Sequence, residues 1–454
     1  MSKEIRFNAF AMNCVGHMAP GLWRHPRDRS ERYVDLNYWT GLARLLERGK
    51  FDGLFLADVL GPYDVFRGSA DAAIRSGIQI PVNDPLLLVS GMATVTEHLG
   101  FGVTCSLTYE HPYSFARRAS TLDHLTKGRF GWNIVSGYLD SAARNFGLDQ
   151  QTQHDDRYAL AEEYMEVCYK LWERSWEQDA VGRNRKSGVF ADPTKVHGIQ
   201  HFGTYFRVPG FNLSEPSPQR TPVLYQAGAS RRGKDFAAKH AECVFVSAPS
   251  AGIVRNYVRD LRQRAAELGR GPILVFAMFT IVVAPTESEA LAKLQEYRSY
   301  IDYEGALALM SGWTGVDLGK FDLDEELRPT NTNANQSALE SFTTGDPNRR
   351  WKIREIAEFV GLGGRAPVVV GSPSQVADLL QQWIEETDVD GFNLTYAVMP
   401  ETYENIIDLL VPELQRRKVY KKEYRPGSLR EKLFGQGPYL PETHPGSLHR
   451  SQIR

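Results

Sequence analysis

The chain has 454 residues, of which 42% are hydrophobic and 24% charged, and a net charge of -2. That composition is ordinary for a soluble globular enzyme or binding protein, and the near-neutral balance gives no basic field for nucleic acid and no membrane-surface signal. The four cysteines (Cys14, Cys105, Cys168, Cys243) are scattered singly, which favours a reducing compartment. The opening MSKEIRFNAF has no apolar run of signal-peptide length, and no later stretch is long and apolar enough to span a bilayer. A cytoplasmic protein is expected.

Residues 5–10 alternate and then run apolar, as a first strand does, and leave by a loop over 12–17. The periodicity predicts an amphipathic helix over 36–49 and a second strand over 53–58 ending on Asp58. A polar connection at 59–84 leads to a helix over 85–99 and a third strand over 101–107. The next unit is the most sharply drawn. Helix 113–127 is stopped by Gly128, as a left-handed cap would stop it, and a buried strand over 129–135 runs out into Ser136, Gly137 and Tyr138. Helix 156–174 carries Tyr158 in its first turn, and 175–220 reads as an excursion with a β-hairpin over 198–211.

The core pattern then resumes with strand 222–226, helix 231–241, strand 243–247, helix 252–268 and strand 273–283. An insertion at 284–365, with its own helix over 288–300, precedes helix 373–386, which has Ser372 as N-cap and a proline at its first position. Strand 391–397 and helix 402–417 close the set. Eight strand–helix units predict an α/β fold, a (β/α)8 TIM barrel over 1–417, rather than a doubly wound open sheet. The basic tail 418–454, rich in Pro and Gly, reads as a surface wrap. The insertions at 59–84 and 284–365 follow strands directly and so belong over the ligand-binding face. Only the latter is long enough to act as a lid.

No metal motif is present, and there is no P-loop or GxSxG elbow. The GLGG run at 361–364 follows no clear strand and reads as a turn. One feature points to chemistry. Strand 222–226 ends in Gln226, after which Ala227, Gly228, Ala229 and Ser230 open a helix. A helix N-terminus offers free N–H groups and a positive dipole end, so this pattern suits an anion, most naturally a phosphate. It suits a plain capped helix with a solvated basic turn equally well. Asp58, Thr104, Ser106, Asn133 and Ser136 all fall at strand ends, where a barrel brings polar groups to one face. Cys14 and His17 lie just past strand one, and taken singly each reads as structural. Tyr63, Tyr109, Trp132, Tyr138 and Trp313 read as core or wall aromatics.

The runs TLDHLTKGRFGWNIVSG, HDDRY at 154–158 and PSPQRTPVLYQAGASRRGKDFAAKHAE resemble the bacterial-luciferase-like flavin monooxygenases, in the branch that holds the nitrilotriacetate and dibenzothiophene-sulfone enzymes. MNCVGH, GLWRHP, DLNYWT, LADV, IPVNDP and VDGFNL are most similar to its dimethyl sulfide and long-chain alkane members. The resemblance implies a barrel that takes FMNH2 from a separate NAD(P)H-dependent flavin reductase and reacts it with O2. It then oxygenates a small apolar or organosulfur substrate through a flavin C4a-hydroperoxide. Terminal hydroxylation of a long n-alkane is the alternative, and a flavin-binding protein without turnover is the alternative of another class. It further implies a homodimer or homotetramer. Asp58, Thr104, Asn133, Ser136 and Gly137 are then expected around the flavin ring, and Tyr158 with Ala227, Gly228, Ala229 and Ser230 at its phosphate. Cys14, His17, Tyr63 and Gln79 match residues lining the alkane enzymes' pocket. Tyr138 stands where those enzymes have a histidine, and His17 is the expected partner of the reacting group.

Overall fold

A computed structural model describes residues 3–346 and 348–451. Eight parallel strands form the barrel: β1 (Arg6–Met12), β2 (Gly53–Ala57), β3 (Gly100–Ser106), β4 (Phe130–Val135), β5 (Val223–Gln226), β6 (Cys243–Val246), β7 (Leu274–Val283) and β8 (Gly391–Thr395). Each pairs with the next, and β8 pairs with both β7 and β1, so the ring is closed and no edge is left open. The register runs from Asn8 opposite Gly53 on one side to Asn8 opposite Asn393 on the other. Every residue of β7 is buried, as expected of a strand covered by helices outside and side chains inside.

The connecting helices follow their local signals. Asp35 caps Leu36–Arg48 by accepting from the Asn37 N–H. Ser372 caps Pro373–Thr387, its own N–H donating to Gln375 Oε1 at 2.9 Å. Pro112–Leu125 ends where the Gly128 N–H, at φ +80°, returns to the Asp123 carbonyl at 2.8 Å.

Inside the ring the aromatic rings of Phe10, Phe55, Tyr225, Phe245 and Phe276 lie in contact, with centroids 4.2 Å apart between Phe55 and Phe245. Gly131 makes room for this layer, since a Cβ there would sit 2.5 Å from the Tyr225 ring. At the amino-terminal mouth, the short helix Leu429–Phe434 packs under the ring. Its Arg430 is 1% exposed and grips Glu242 through Nε (2.7 Å) and Nη2 (2.9 Å). The same guanidinium donates to the Thr221, Pro222 and Pro438 carbonyls.

Several elements differ from the sequence expectation. The helix expected over 85–99 is Leu86–Ala93. Beyond it the Glu47 carboxylate accepts from the N–H groups of Glu97, His98 and Leu99. Arg129 donates to the Ala93, Thr96 and Leu99 carbonyls. Long-range side chains thus satisfy backbone that helix would otherwise pair. Val368–Gly371 is a strand that periodicity did not reveal, laid parallel to the outer half of β7 from Thr280 to Val283. Among its described residues the insertion holds three α-helices besides Glu287–Arg298. They are Tyr303–Thr314, Gln336–Ser341 and Ile353–Val360. From Gly305 onward every residue of Tyr303–Thr314 is buried, and such a helix has no amphipathic stripe to read. The hairpin of the excursion reduces to His201–Phe202 and Arg207–Val208, its turn held by Glu163 accepting from the Tyr205 and Phe206 N–H groups.

Removing one partner of a buried, fully hydrogen-bonded ion pair costs about 3–5 kcal/mol. Arg430→Met should lower the unfolding free energy by about that amount in urea melts followed by circular dichroism. A loss below about 1 kcal/mol would mean that the surrounding contacts hold the floor without the charge.

Candidate functional site

The carboxyl ends of the strands open into connected cavities. β5 ends on Gln226, which is 4% exposed and has an Oε1 with no hydrogen-bond partner among the described residues. Its amide lies against Gly228, where a Cβ would also meet the Tyr158 hydroxyl at 3.0 Å. Ser230 caps the helix Arg231–His240 by accepting from the Gly233 N–H at 3.0 Å, and His154 Nε2 lies 3.1 Å from the same Oγ. The Tyr257 hydroxyl holds the Gly228 carbonyl at 2.9 Å. Tyr158 rises from His154–Tyr169, and burial pushes its phenol pKa up. His154, Tyr158, Gln226, Gly228 and Ser230 line a cavity of about 240 Å³ together with Ser136, Gly137 and Tyr138. Ala227 and Ala229 line it too, and it continues past them into a space of about 340 Å³.

A smaller recess of about 100 Å³ shares Val135, Gly137 and Tyr138 with the first cavity, and is lined otherwise by Asp58, Thr104 and apolar side chains such as Leu60 and Leu139. Burial, and then the charge of Asp84, raises the Asp58 carboxyl to about 7. Asn133 lies deeper, buried in the barrel. Its Nδ2 donates to Thr104 Oγ1 at 2.9 Å, and its Oδ1 lacks a partner among the described residues.

The remaining expected residues meet beneath this recess. Gln79 Nε2 donates to the His17 carbonyl at 2.9 Å, the Tyr63 hydroxyl donates to Gln79 Oε1 at 2.8 Å, and Tyr63 and Tyr138 oxygens lie 3.1 Å apart. Gly312 leaves room for the Tyr63 ring, which a Cβ there would overlap. The His17 ring is fully buried, set edge-on to Phe10 at 4.5 Å, and neither nitrogen has a partner among the described residues. Burial lowers its pKa to about 3, so it is neutral at physiological pH. Cys14 is likewise buried, and its thiol pKa is pushed up, by burial and then by the charge of Asp58. It is a thiol rather than a thiolate. Neither His17 nor Cys14 reaches the lining of these cavities.

Sequence reasoning missed Arg365 and undervalued Trp313. Arg365 Cζ stands 5.3 Å over the Trp313 ring, both line the cavity of about 240 Å³, and no carboxylate among the described residues pairs with the guanidinium. The sequence offered only a turn there, since Gly363 and Gly364, both at positive φ, precede the arginine without any periodic element.

A closed ring of eight parallel strands, with cavities where the carboxyl ends of the strands meet the loops, has the architecture of the (β/α)8 barrels. The luciferase-like monooxygenase family matches residues 14–391. Over 453 residues the chain is 52% identical to the dimethyl-sulfide monooxygenase of Hyphomicrobium sulfonivorans, covering 99% of this chain and 94% of that one. The crystal structure of that enzyme superposes with a TM-score of 0.92. Identity to the long-chain alkane monooxygenase of Geobacillus thermodenitrificans is 51% over 454 residues, 99% of each chain, with a TM-score of 0.91 for its structure. A riboflavin lyase solved with modified FMN and riboflavin is 37% identical and covers 99% of this chain and 100% of its own, with a TM-score of 0.93. The chain belongs to the luciferase-like monooxygenase family, and it is an oxidoreductase of that family. No helix among the described residues is long and apolar enough to cross a membrane.

The raised Asp58 pKa carries a pH signature. Below the unfolded value near 3.8 both states hold the proton. As pH climbs toward about 7 only the unfolded state releases it, so the stability this carboxyl lends is lost across that window. Asp58→Asn should therefore gain stability relative to the parent between pH 4 and pH 7, about where the two values lie, in melts taken across that range. Parallel pH profiles for the two proteins would show that Asp58 is not held in its neutral form.

Proposed function

We propose that the chain is the oxygenase component of a two-component system. FMNH2 arrives from a separate NAD(P)H-dependent flavin reductase, O2 is the co-substrate, and the product is an oxygenated small apolar or organosulfur molecule of the dimethyl sulfide type. The observation that carries this reading is the junction of two cavities at Tyr138, one ending in a phosphate-type loop and the other a small apolar recess. The FMN phosphate fits the loop on two counts. The helix N-terminus points N–H groups at it, and Gly228 and Gly233 leave the space a side chain would fill. Tyr158 and Ser230 would then hold the phosphate, with Ala227 and Ala229 against it, while Ser136, Gly137, Asp58 and Thr104 border the ring.

Reduced flavin, when bound, supplies the two electrons that leave one oxygen atom of O2 in the product and the other in water. The protein's own part is to position and to exclude water. Trp313 and residues 334–337 of the insertion roof the larger cavity, the role expected of a lid. The neutral His17 and the un-ionised Cys14 keep the wall behind Tyr63 free of charge. Recess size favours the small substrate, because about 100 Å³ is less than the roughly 150 Å³ of an apolar cavity that takes up benzene. A long-chain alkane would need more room. The space of about 340 Å³ lies beyond the phosphate loop and shares no lining residue with the recess.

Oxygen consumption with FMN, NADH and an added flavin reductase, and product analysis, tests the reading on dimethyl sulfide and on medium and long alkanes. Formaldehyde and methanethiol from dimethyl sulfide are expected. A primary alcohol from an alkane would move the assignment to alkane hydroxylation, and peroxide alone with every substrate would favour flavin binding without turnover. Ser230→Ala and Tyr158→Phe should each weaken FMNH2 binding about tenfold, the cost of one charge-assisted hydrogen bond, with a smaller fall in stability. Unchanged affinity in both variants would place the phosphate elsewhere.

A further inference from the structure

The hydrogen bonds beneath the recess have a direction, and counting protons fixes it. The His17 carbonyl can only accept, so the Gln79 atom 2.9 Å from it is the amide nitrogen. Gln79 Oε1 therefore faces Tyr63 and can only accept, and it takes the single Tyr63 proton at 2.8 Å. Burial raises the pKa of both phenols, so each keeps one proton at neutral pH. With its own proton committed, Tyr63 can only accept across the 3.1 Å gap, and Tyr138 must be the donor there. Tyr138 lines both cavities, and with its proton committed to Tyr63 its hydroxyl has only lone pairs left to offer a ligand. Gln79 holds this arrangement from a left-handed backbone, φ +51°, a conformation uncommon for a non-glycine residue.

We infer that Gln79, acting through Tyr63, fixes Tyr138 as a hydrogen-bond acceptor toward the bound ligand and so makes the site select a ring that carries N–H over one that carries bare nitrogen. The inference rests on the flavin reading above. Reduced flavin bears a hydrogen on its central-ring nitrogen that oxidised flavin lacks, so Gln79 is a positioning residue for the redox state of the cofactor. Tyr138 in this role receives a hydrogen bond and is not a proton donor.

The test is a ratio of affinities, Kd for FMN over Kd for FMNH2, from fluorescence titration in air and anaerobic titration with reduced flavin. The parent should favour FMNH2. Tyr63→Phe leaves the Tyr138 proton without its acceptor, and Gln79→Leu lets the Tyr63 proton turn toward Tyr138. Either change sends a donor into the cavity, and the ratio should fall about tenfold in both, the scale of one hydrogen bond gained or lost. Gln79→Glu, whose buried carboxyl stays protonated, can make both Gln79 bonds and should keep the parent ratio. Tyr63→Phe removes a single atom from a residue that still fills the space beside Gly312, so it tests the idea even if a Gln79 variant does not fold. Binding of FMNH2 by the parent with an unchanged ratio in Tyr63→Phe overturns this inference alone. Failure of the parent to bind either redox state overturns the flavin reading with it.

Discussion

Arg430 brings a full positive charge into the floor of the barrel, and the ring above depends on how that charge is met. Glu242, at the start of β6, takes two of its N–H groups and also accepts from the Leu224 N–H of β5. Gln219 accepts from the Arg430 backbone N–H and donates to Asp123 and to the Phe130 carbonyl of β4. Three strand starts and one outer helix are therefore tied to a segment between 188 and about three hundred positions away in sequence. A buried pair of this kind repays its desolvation only if each remaining donor finds an oxygen, and here carbonyls supply them.

That floor has a consequence at the other end. With the bottom closed by Leu429, Leu433 and Arg430, and the middle filled by the aromatic layer, the space left in the ring lies where the strands end. Loops set its chemistry. The β5 loop supplies the polar cradle, the segment after β2 supplies Tyr63 and Gln79, and the insertion after β7 supplies Trp313 and Arg365. Gln79, Tyr63 and Tyr138 in these loops are held by one another, so their polar ends are satisfied beside a recess that stays mostly apolar.

Local signals were enough wherever a residue's partner lay within one turn or one strand. The Ser230 and Ser372 caps, the Gly128 stop and the eight strands are of this kind, and the structure has each of them. Signals failed where a distant side chain settled the backbone. Glu47 and Arg129 unwound the helix expected to reach residue 99, and Val368–Gly371 became a strand because β7 is long enough to offer it a partner. Arg365 had no local mark at all.

The sequence by itself determined the parallel barrel, the Ser230-capped helix start after β5 and the family, because periodicity, capping and contiguous motifs are properties of neighbours along the chain. Only the tertiary structure decided that His17 and Cys14 stand behind the cavity wall rather than in it, that Asp58 is desolvated, and that Gln79, Tyr63 and Tyr138 form one directed chain. Burial and hydrogen-bond direction depend on what stands within a few ångströms in space, and no pattern along the chain encodes that distance.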